Sequence, residues 1–333
     1  MTYHKVKRGL VWLMKRVLEA LAKGMSLGMW ESKMASLPLI TVIITTCKRP
    51  VEILERAVKS VLAQDYSNYE VIVVNDYPED KALVQKIGDS LLSYSDARVR
   101  YIVQKANGGA CQARNVGIQK ADGEYIAFLD DDDEWMPDKL SKQLAGFTSE
   151  KIGAVSCDFL DVGRNKGKGR AIVVRTGADE RNLVEALLWR NCVGGCSEPM
   201  IRASVLAEIG GFDESLFASQ DYDLWMRIAI KYEIAFVHLP LVKRYYSEDA
   251  ITGNFKKKMT GLEKIQKKKE ELYKKYLDAL NYRYAQKIEF CLMHKEFAKS
   301  IQFFVKAIRV KPLSKYNILE PMRGIVKLLR RMI

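Results

Sequence analysis

Four strand-like runs, at 39–45 (LITVIIT), 69–75 (YEVIVVN), 99–103 (VRYIV) and 125–129 (YIAFL), alternate with helical stretches. No other pattern in the chain restricts its fold so tightly. A strand wet on one face alternates apolar and polar side chains, whereas the near-continuous apolar runs at 39–45 and 69–75 demand cover on both faces. Pro50 opens the first cover, a helix to about residue 63 with Ile53, Leu54, Ala57, Val58, Val61 and Leu62 on one face. Helices over about 81–92 and 109–120 follow the second and third runs. This β-α-β-α-β-α-β order predicts an α/β fold with a doubly wound, mostly parallel, Rossmann-like sheet. No P-loop and no GxGxxG fingerprint is present, which counts against a simple NTPase or dinucleotide dehydrogenase.

The fourth run ends in acids: Asp130, Asp131, Asp132 and Asp133, then Glu134-Trp135-Met136-Pro137. Crowded carboxylates raise one another's pKa, and a hard divalent cation such as Mg²⁺ or Mn²⁺ removes that cost. Ligands of open α/β sheets sit at such carboxyl-terminal strand ends. The plainer alternative is a solvated acidic turn capping a helix that begins near Pro137. Polar groups end the other runs too, Thr45-Thr46-Cys47 after the first and Asn75-Asp76 after the second. Gln112, Arg114 and Asn115 lie on the helix before the fourth run, where a guanidinium could pair with phosphate. Singly these are turn or surface residues; gathered on one sheet edge they make a nucleotide-diphosphate pocket.

Charge divides the chain into three. Residues 1–37 carry +5, residues 38–255 carry −6 and residues 256–333 carry +14, so an acidic centre of enzyme size has basic ends. Residues 5–23 are too interrupted by charge to span a bilayer and lack a signal-peptide cleavage pattern. Their apolar residues recur at helical spacing beside lysines and arginines, as do those of 321–333, which suits helices lying on an anionic membrane surface. A helix packed on the domain is the alternative for the first. Between them, 290–312 (FCLMHKEFAKSIQFFVKAIRVKP) has the spacing of a tetratricopeptide-like hairpin, which cannot bury its own face alone. Nucleic acid is disfavoured as a partner because apolar residues interleave with the basic ones and no nucleic-acid motif appears. Six scattered cysteines without zinc-type partners read as free thiols of a reducing compartment, and three histidines are too few for a histidine-rich metal centre.

From residue 38 to 252 the chain resembles the inverting family 2 glycosyltransferases of GT-A fold. The resemblance rests on PLITVIITTCKRP, SVLAQDYSNYEVIVVND, GGACQARNVGI, ADGEYIAFLDDDDEWMPDKL, PMIRASVLAEIGGFDESL and SQDYDLWMRI, in that order. It implies that Thr45 lines the base pocket, that Asp76 hydrogen-bonds the uracil of a UDP-sugar, and that Arg114 contacts the donor's nucleotide side. Asp130 and Asp132 would form the DxD pair that binds Mn²⁺ or Mg²⁺, with Asp132 the direct ligand and Asp131 near the ribose. Asp221 falls where the family places its catalytic base, with Phe212 and Trp225 available either to stack on a sugar or to pack in the core. Cys47 stands where the family usually has an aromatic against the base, Tyr77-Pro78 replaces Gly-Ser, and Gln220 replaces a frequent Glu. Tyr246, Ser247 and Thr252 occupy a loop expected to close over the donor.

The chemistry suits the residues. Losing a diphosphate calls for a cation at the leaving group, and an acceptor hydroxyl needs a positioned carboxylate to take its proton. Asp221, expected just before a helix over 222–230, gains from that helix's dipole; a plain N-cap is its bland alternative. The expected protein is thus a metal-dependent hexosyltransferase acting on a glycan or lipid-linked acceptor in bacterial surface polysaccharide assembly. It would be cytoplasmic and peripheral on the inner face of the membrane, with a basic segment (1–37), a GT-A domain (38–255) and a basic helical extension (256–333). A sugar-phosphate nucleotidyltransferase would need a glycine-rich loop after the first strand, which TTCKRP lacks. A non-catalytic sugar- or nucleic-acid-binding module would bind no UDP in a metal-dependent way.

Overall fold

The computed structural model describes residues 37–162, 172–174, 176–177, 182–245 and 255–316. Its first half follows the alternation: β1 (Ile40–Thr46), α1 (Val51–Leu62), β2 (Tyr69–Asn75), α2 (Lys81–Ser93), β3 (Val99–Val103), α3 (Gly109–Gln119) and β4 (Tyr125–Asp130). These strands run parallel in the order β3-β2-β1-β4. Both faces are covered, as the apolar runs require. Val42, Ile44, Val71 and Val73 pack with Leu54, Val58, Ile87 and Leu91 of α1 and α2. The alternate residues Ile72 and Val74 face Ala113 of α3, and Ile43 lies on that side with Cys111. Gly117 lets α3 close on the sheet, since a Cβ there would come within 2.5 Å of an Ile43 methyl.

Beyond the aspartates the sheet becomes mixed. The elements are β5 (Glu134–Trp135), α4 (Lys139–Leu144), β6 (Ile152–Val162), β7 (Ile172–Val174), α5 (Leu183–Trp189) and β8 (Met200–Arg202). Then come α6 (Ala203–Ile209), α7 (Gln220–Lys231) and β9 (Glu233–Tyr245). β8 lies antiparallel to β4 and β6, β9 runs parallel to β6, and β5 closes antiparallel on β9. Short β8 therefore joins the parallel half to the mixed half.

Four helices follow: α8 (Phe255–Lys268), α9 (Glu270–Lys275), α10 (Leu277–Met293) and α11 (Phe297–Val310), the last two forming the expected hairpin. Ile265, Tyr273 and Ala279 of this region share one apolar cluster with Leu187, Leu188 and Trp225. Helices α8, α9 and α10 thus bury apolar residues against the rest of the chain, whereas Phe297, Ile301, Val305 and Ile308 of α11 stay exposed. Among the described residues no helix is long and apolar enough to cross a membrane. The two amphipathic ends and the 246–252 loop lie outside the described residues.

Candidate active site

The parallel register sets Thr45 of β1 beside Asp130 of β4, with Val74 on its other side. Asp76 follows β2 directly, so three of the predicted positions meet at the carboxyl ends of adjacent strands. Asp76 is buried, and its two carboxylate oxygens accept the Gly108 and Gly109 backbone N–H groups at 2.8 Å each. Gln104 Nε2 also donates to it. Gly109 has φ of 83°, the left-handed region that glycine enters without strain, and the turn aims two successive amides at one carboxylate. Asn107 donates from Nδ2 to the Asp76 carbonyl at 2.7 Å and to Cys47 Sγ at 3.4 Å. Cys47 lies exposed at this rim; partial burial of its thiol, then the Asp76 charge, pushes its pKa up.

The four aspartates are separated by partner. Asp130 accepts from Arg114 Nη2 at 2.7 Å. Arg49 bridges the next two, donating from Nε to Asp131 and from Nη2 to Asp132 at 3.0 Å each. Arg56 donates to the Asp132 carbonyl. Asp133 turns inward: its N–H closes a tight turn on the Asp130 carbonyl at 3.0 Å, and its carboxylate accepts from Ser197 Oγ at 2.6 Å. Burial raises the Asp131 pKa to about 6 against the lowering pull of Arg49. Burial, reinforced by Asp130, drives Asp133 well above the usual carboxylate range. Burial is thus the larger cause of the raised values and like-charge crowding the smaller, with Arg49 opposing both at Asp131 and Asp132.

Among the described residues, no three His, Cys, Asp or Glu side chains gather as a ligand set. The donor chemistry nevertheless fits a hard cation. Asp130 and Asp132 keep 32% and 27% of their side chains exposed, and two carboxylates leave positions for diphosphate oxygens and water.

Asp221 is the second residue of α7, inside its first turn rather than before it. Asn191 Nδ2 donates to its Oδ2 at 3.2 Å. Burial raises its pKa, opposed in turn by the Tyr222 backbone N–H, Arg244 and Arg114, while Asp130 raises it further. The 191–198 segment links the candidate base to the aspartate loop, since Ser197 Oγ, six residues after Asn191, accepts the Asp130 N–H at 3.1 Å and donates to Asp133. Arg244 of β9 forms an ion pair with the fully buried Glu198 at 3.6 Å, and its charge also acts on Asp133, Asp130 and Asp221. Arg114 thus pairs directly with Asp130, and Arg244 with Glu198.

Three residues prove structural. Trp225 is fully buried, with Nε1 donating to the Gly194 carbonyl at 3.0 Å, and Phe212 is buried edge-on to Phe128 at 5.1 Å. Neither has a free ring face for a sugar. Asn115, expected in the nucleotide pocket, exchanges hydrogen bonds with the Phe212 backbone at 2.8 and 2.9 Å and so holds the 211–214 turn. Conversely, Arg49, Asn191, Glu198 and Arg244 were not legible as site residues. Arg49 lies within TTCKRP but is an ordinary surface cation by composition.

Residues 41–210, just over half the chain, match the family model described as Glycosyl transferase family 2. A putative colanic acid biosynthesis glycosyl transferase, WcaA of Escherichia coli K12, is 34% identical over 203 residues, covering 59% of this chain and 67% of that protein. The Escherichia coli UDP-Glc:alpha-D-GlcNAc-diphosphoundecaprenol beta-1,3-glucosyltransferase WfgD is 26% identical over 200 residues, covering 60% and 74%. The chain spans about a third of the length of three Rickettsia relatives that it also matches. Among solved structures, the mannosyltransferase PcManGT of Pyrobaculum calidifontis, in complex with GDP-Man and Mn²⁺, superposes with a TM-score of 0.57 at 18% identity. That match covers 89% of this chain and 88% of PcManGT. The chain belongs to glycosyl transferase family 2, and its mixed sheet followed by helices is of the GT-A type.

Proposed function

We propose that this chain transfers a sugar from a UDP-sugar to a hydroxyl of a glycan or lipid-linked acceptor, with inversion at the anomeric carbon, in bacterial surface polysaccharide assembly. One observation carries the reading: the 191–198 segment joins the two acidic sites, Asn191 donating to Asp221 while Ser197 Oγ donates to Asp133 and accepts the Asp130 N–H, beside the Arg114–Asp130 pair. A guanidinium such as that of Arg114, at the end of the nucleotide strands, can pair with diphosphate oxygens in a bidentate way. The named substrates of WfgD and the colanic acid pathway of WcaA support the donor, acceptor and pathway.

Thr45, Cys47 and Asp76 line the base end, with Asp76 exchanging its glycine amides or Gln104 for the uracil ring. Asp131 lies toward the ribose. Asp130 and Asp132 are the residues to hold Mn²⁺ or Mg²⁺, and such an ion supplies charge neutralisation at the departing diphosphate. Arg114 and Arg244 orient the phosphates from the protein side. Asp221 accepts the acceptor hydroxyl's proton, and its raised pKa makes it a stronger base than a solvated aspartate. The sugar is attacked from the face opposite the diphosphate, so no covalent sugar–enzyme bond forms. Segments 1–37 and 256–333, both basic, flank a catalytic unit over 38–255 and hold it at an anionic membrane surface on the cytoplasmic side.

Titration calorimetry with UDP, with and without Mn²⁺, tests the reading. Metal-dependent binding of UDP, followed by transfer from at least one of a panel of UDP-sugars, is expected. Binding of UDP without any transfer or hydrolysis across the panel would leave a binding module. Release of diphosphate from UTP and a sugar phosphate would mark a nucleotidyltransferase instead.

A further inference from the structure

Arg283 projects from α10, in the basic helical region, yet its guanidinium is buried among groups of the catalytic half. Its Nε donates to the Leu188 carbonyl at 2.9 Å and to Tyr273 Oη at 3.2 Å, and Nη1 donates to Gln286 Oε1 at 2.9 Å. Its Nη2 donates to the hydroxyl of Tyr222, whose own O–H donates to the Leu187 carbonyl. Tyr273 adds a hydrogen bond to the Leu188 carbonyl at 3.1 Å. Leu187 and Leu188 lie in the last turn of α5, where carbonyls lack helical partners and a cation is favoured.

The two things gripped both adjoin the base. Tyr222 is the next residue after Asp221 in α7. Leu188 is three residues before Asn191, the group that donates to Asp221 Oδ2. Asn191 is further tied to the Gly194 carbonyl at 2.7 Å and accepts the Val193 and Gly194 N–H groups at 3.1 and 3.2 Å. One guanidinium therefore sets the separation between the turn carrying the base and the loop carrying its hydrogen-bond donor.

We propose that Arg283 is a positioning residue for the transfer reaction, acting through Tyr222 and Asn191 to hold Asp221 in its working orientation. The helices after residue 255 then do more than attach the enzyme to a surface: one of them completes the catalytic geometry. The inference rests on Asp221 being the base. An N–H donor on a carboxylate favours its charged form, so a loosened Asn191 raises the proton affinity of Asp221. A displacement of about an ångström at a reacting group can reduce rate by up to about a hundredfold.

The test uses the full chain with Arg283→Met, which keeps much of the side chain's bulk and removes its donors, and with Arg283→Lys. With Arg283→Met, kcat is expected to fall about tenfold or more, with the donor KM and the UDP Kd within about twofold. The acid limb of the kcat–pH profile should move to higher pH, and Arg283→Lys should recover part of both effects. In an Asp221→Asn background, Arg283→Met should lower the residual transfer little further. A uniform loss at every pH with an unmoved limb overturns the proposal, as does a loss by the same factor whether or not Asp221→Asn is also present. If Arg283→Met fails to bind UDP, Tyr222→Phe, which removes the hydroxyl that Arg283 grips, takes its place and must show the same limb movement, an unmoved limb overturning the proposal. Transfer that survives Asp221→Asn at near the normal rate would instead defeat the base assignment itself, before Arg283 is tested.

Discussion

The two ends of the crevice hold their carboxylates by opposite means. At the aspartate loop, full charges face full charges: Arg114 on Asp130, and Arg49 across Asp131 and Asp132. At Asp221 the direct side-chain partner is a neutral amide, Asn191, with Arg244 and Arg114 acting through their field. The difference suits two tasks. A loop balanced by guanidiniums can exchange them for a metal and a diphosphate without leaving charge uncovered. A base must keep a high proton affinity, and a direct ion pair with arginine would suppress it.

The strongest way to break that contrast is at the metal. Asp132→Asn should lower Mn²⁺-supported transfer by about 10²–10³, the range for losing one stabiliser of developing charge. Chelation of divalent ions should do at least as much, and rates unmoved by both would remove the metal from the aspartate loop. Arg244→Met should lower kcat/KM by about tenfold to a hundredfold, the equivalent of a charge-assisted hydrogen bond of about 1.5–3 kcal/mol. A fall confined to stability, with turnover intact, would make Arg244 only the partner of Glu198.

A smaller effect concerns the loop at rest. Arg49→Met leaves Asp131 buried beside Asp132 without its bridge, at a cost of about 1–3 kcal/mol. The thermal midpoint of the metal-free protein should fall by a few degrees, and saturating Mn²⁺ with UDP should shrink the deficit. The smallest effect is the pH dependence that Asp131 contributes. Its pKa is raised to about 6 from 3.8, so the folded state binds the extra proton between those values. That contribution is fully present below about 3.8 and is lost as pH rises through about 6. Asp131→Asn should therefore flatten the stability of the metal-free protein over that window, measured by denaturant unfolding at about pH 4.5 and about pH 7.

What was legible follows from locality. LITVIIT and YEVIVVN announce strands because cover on both faces leaves an uninterrupted apolar run, and the parallel register then brings Thr45, Asp76 and Asp130 together without further information. The strand order of the mixed half was not legible, because β6, β8 and β9 take their directions from contacts made across the chain. The same reason hides Arg49, which meets Asp131 from 82 residues away, and Asn191, which meets Asp221 from 30. Phe212 and Trp225 illustrate a choice that sequence leaves open. Aromatic residues beside a candidate base can stack on a sugar or pack in the core, and their burial shows that both belong to the core.

The central claim is that Asp221 takes the proton while the rest of the crevice holds the donor. Single-turnover transfer from a UDP-sugar by Asp221→Asn, run beside UDP calorimetry on the same preparation, tests it most directly. The account predicts a loss of transfer of about 10²–10⁴, the range for a general base, with UDP affinity in Mn²⁺ within about twofold of the unmodified protein. Transfer that persists at a comparable rate, or UDP binding that disappears along with it, would contradict the account.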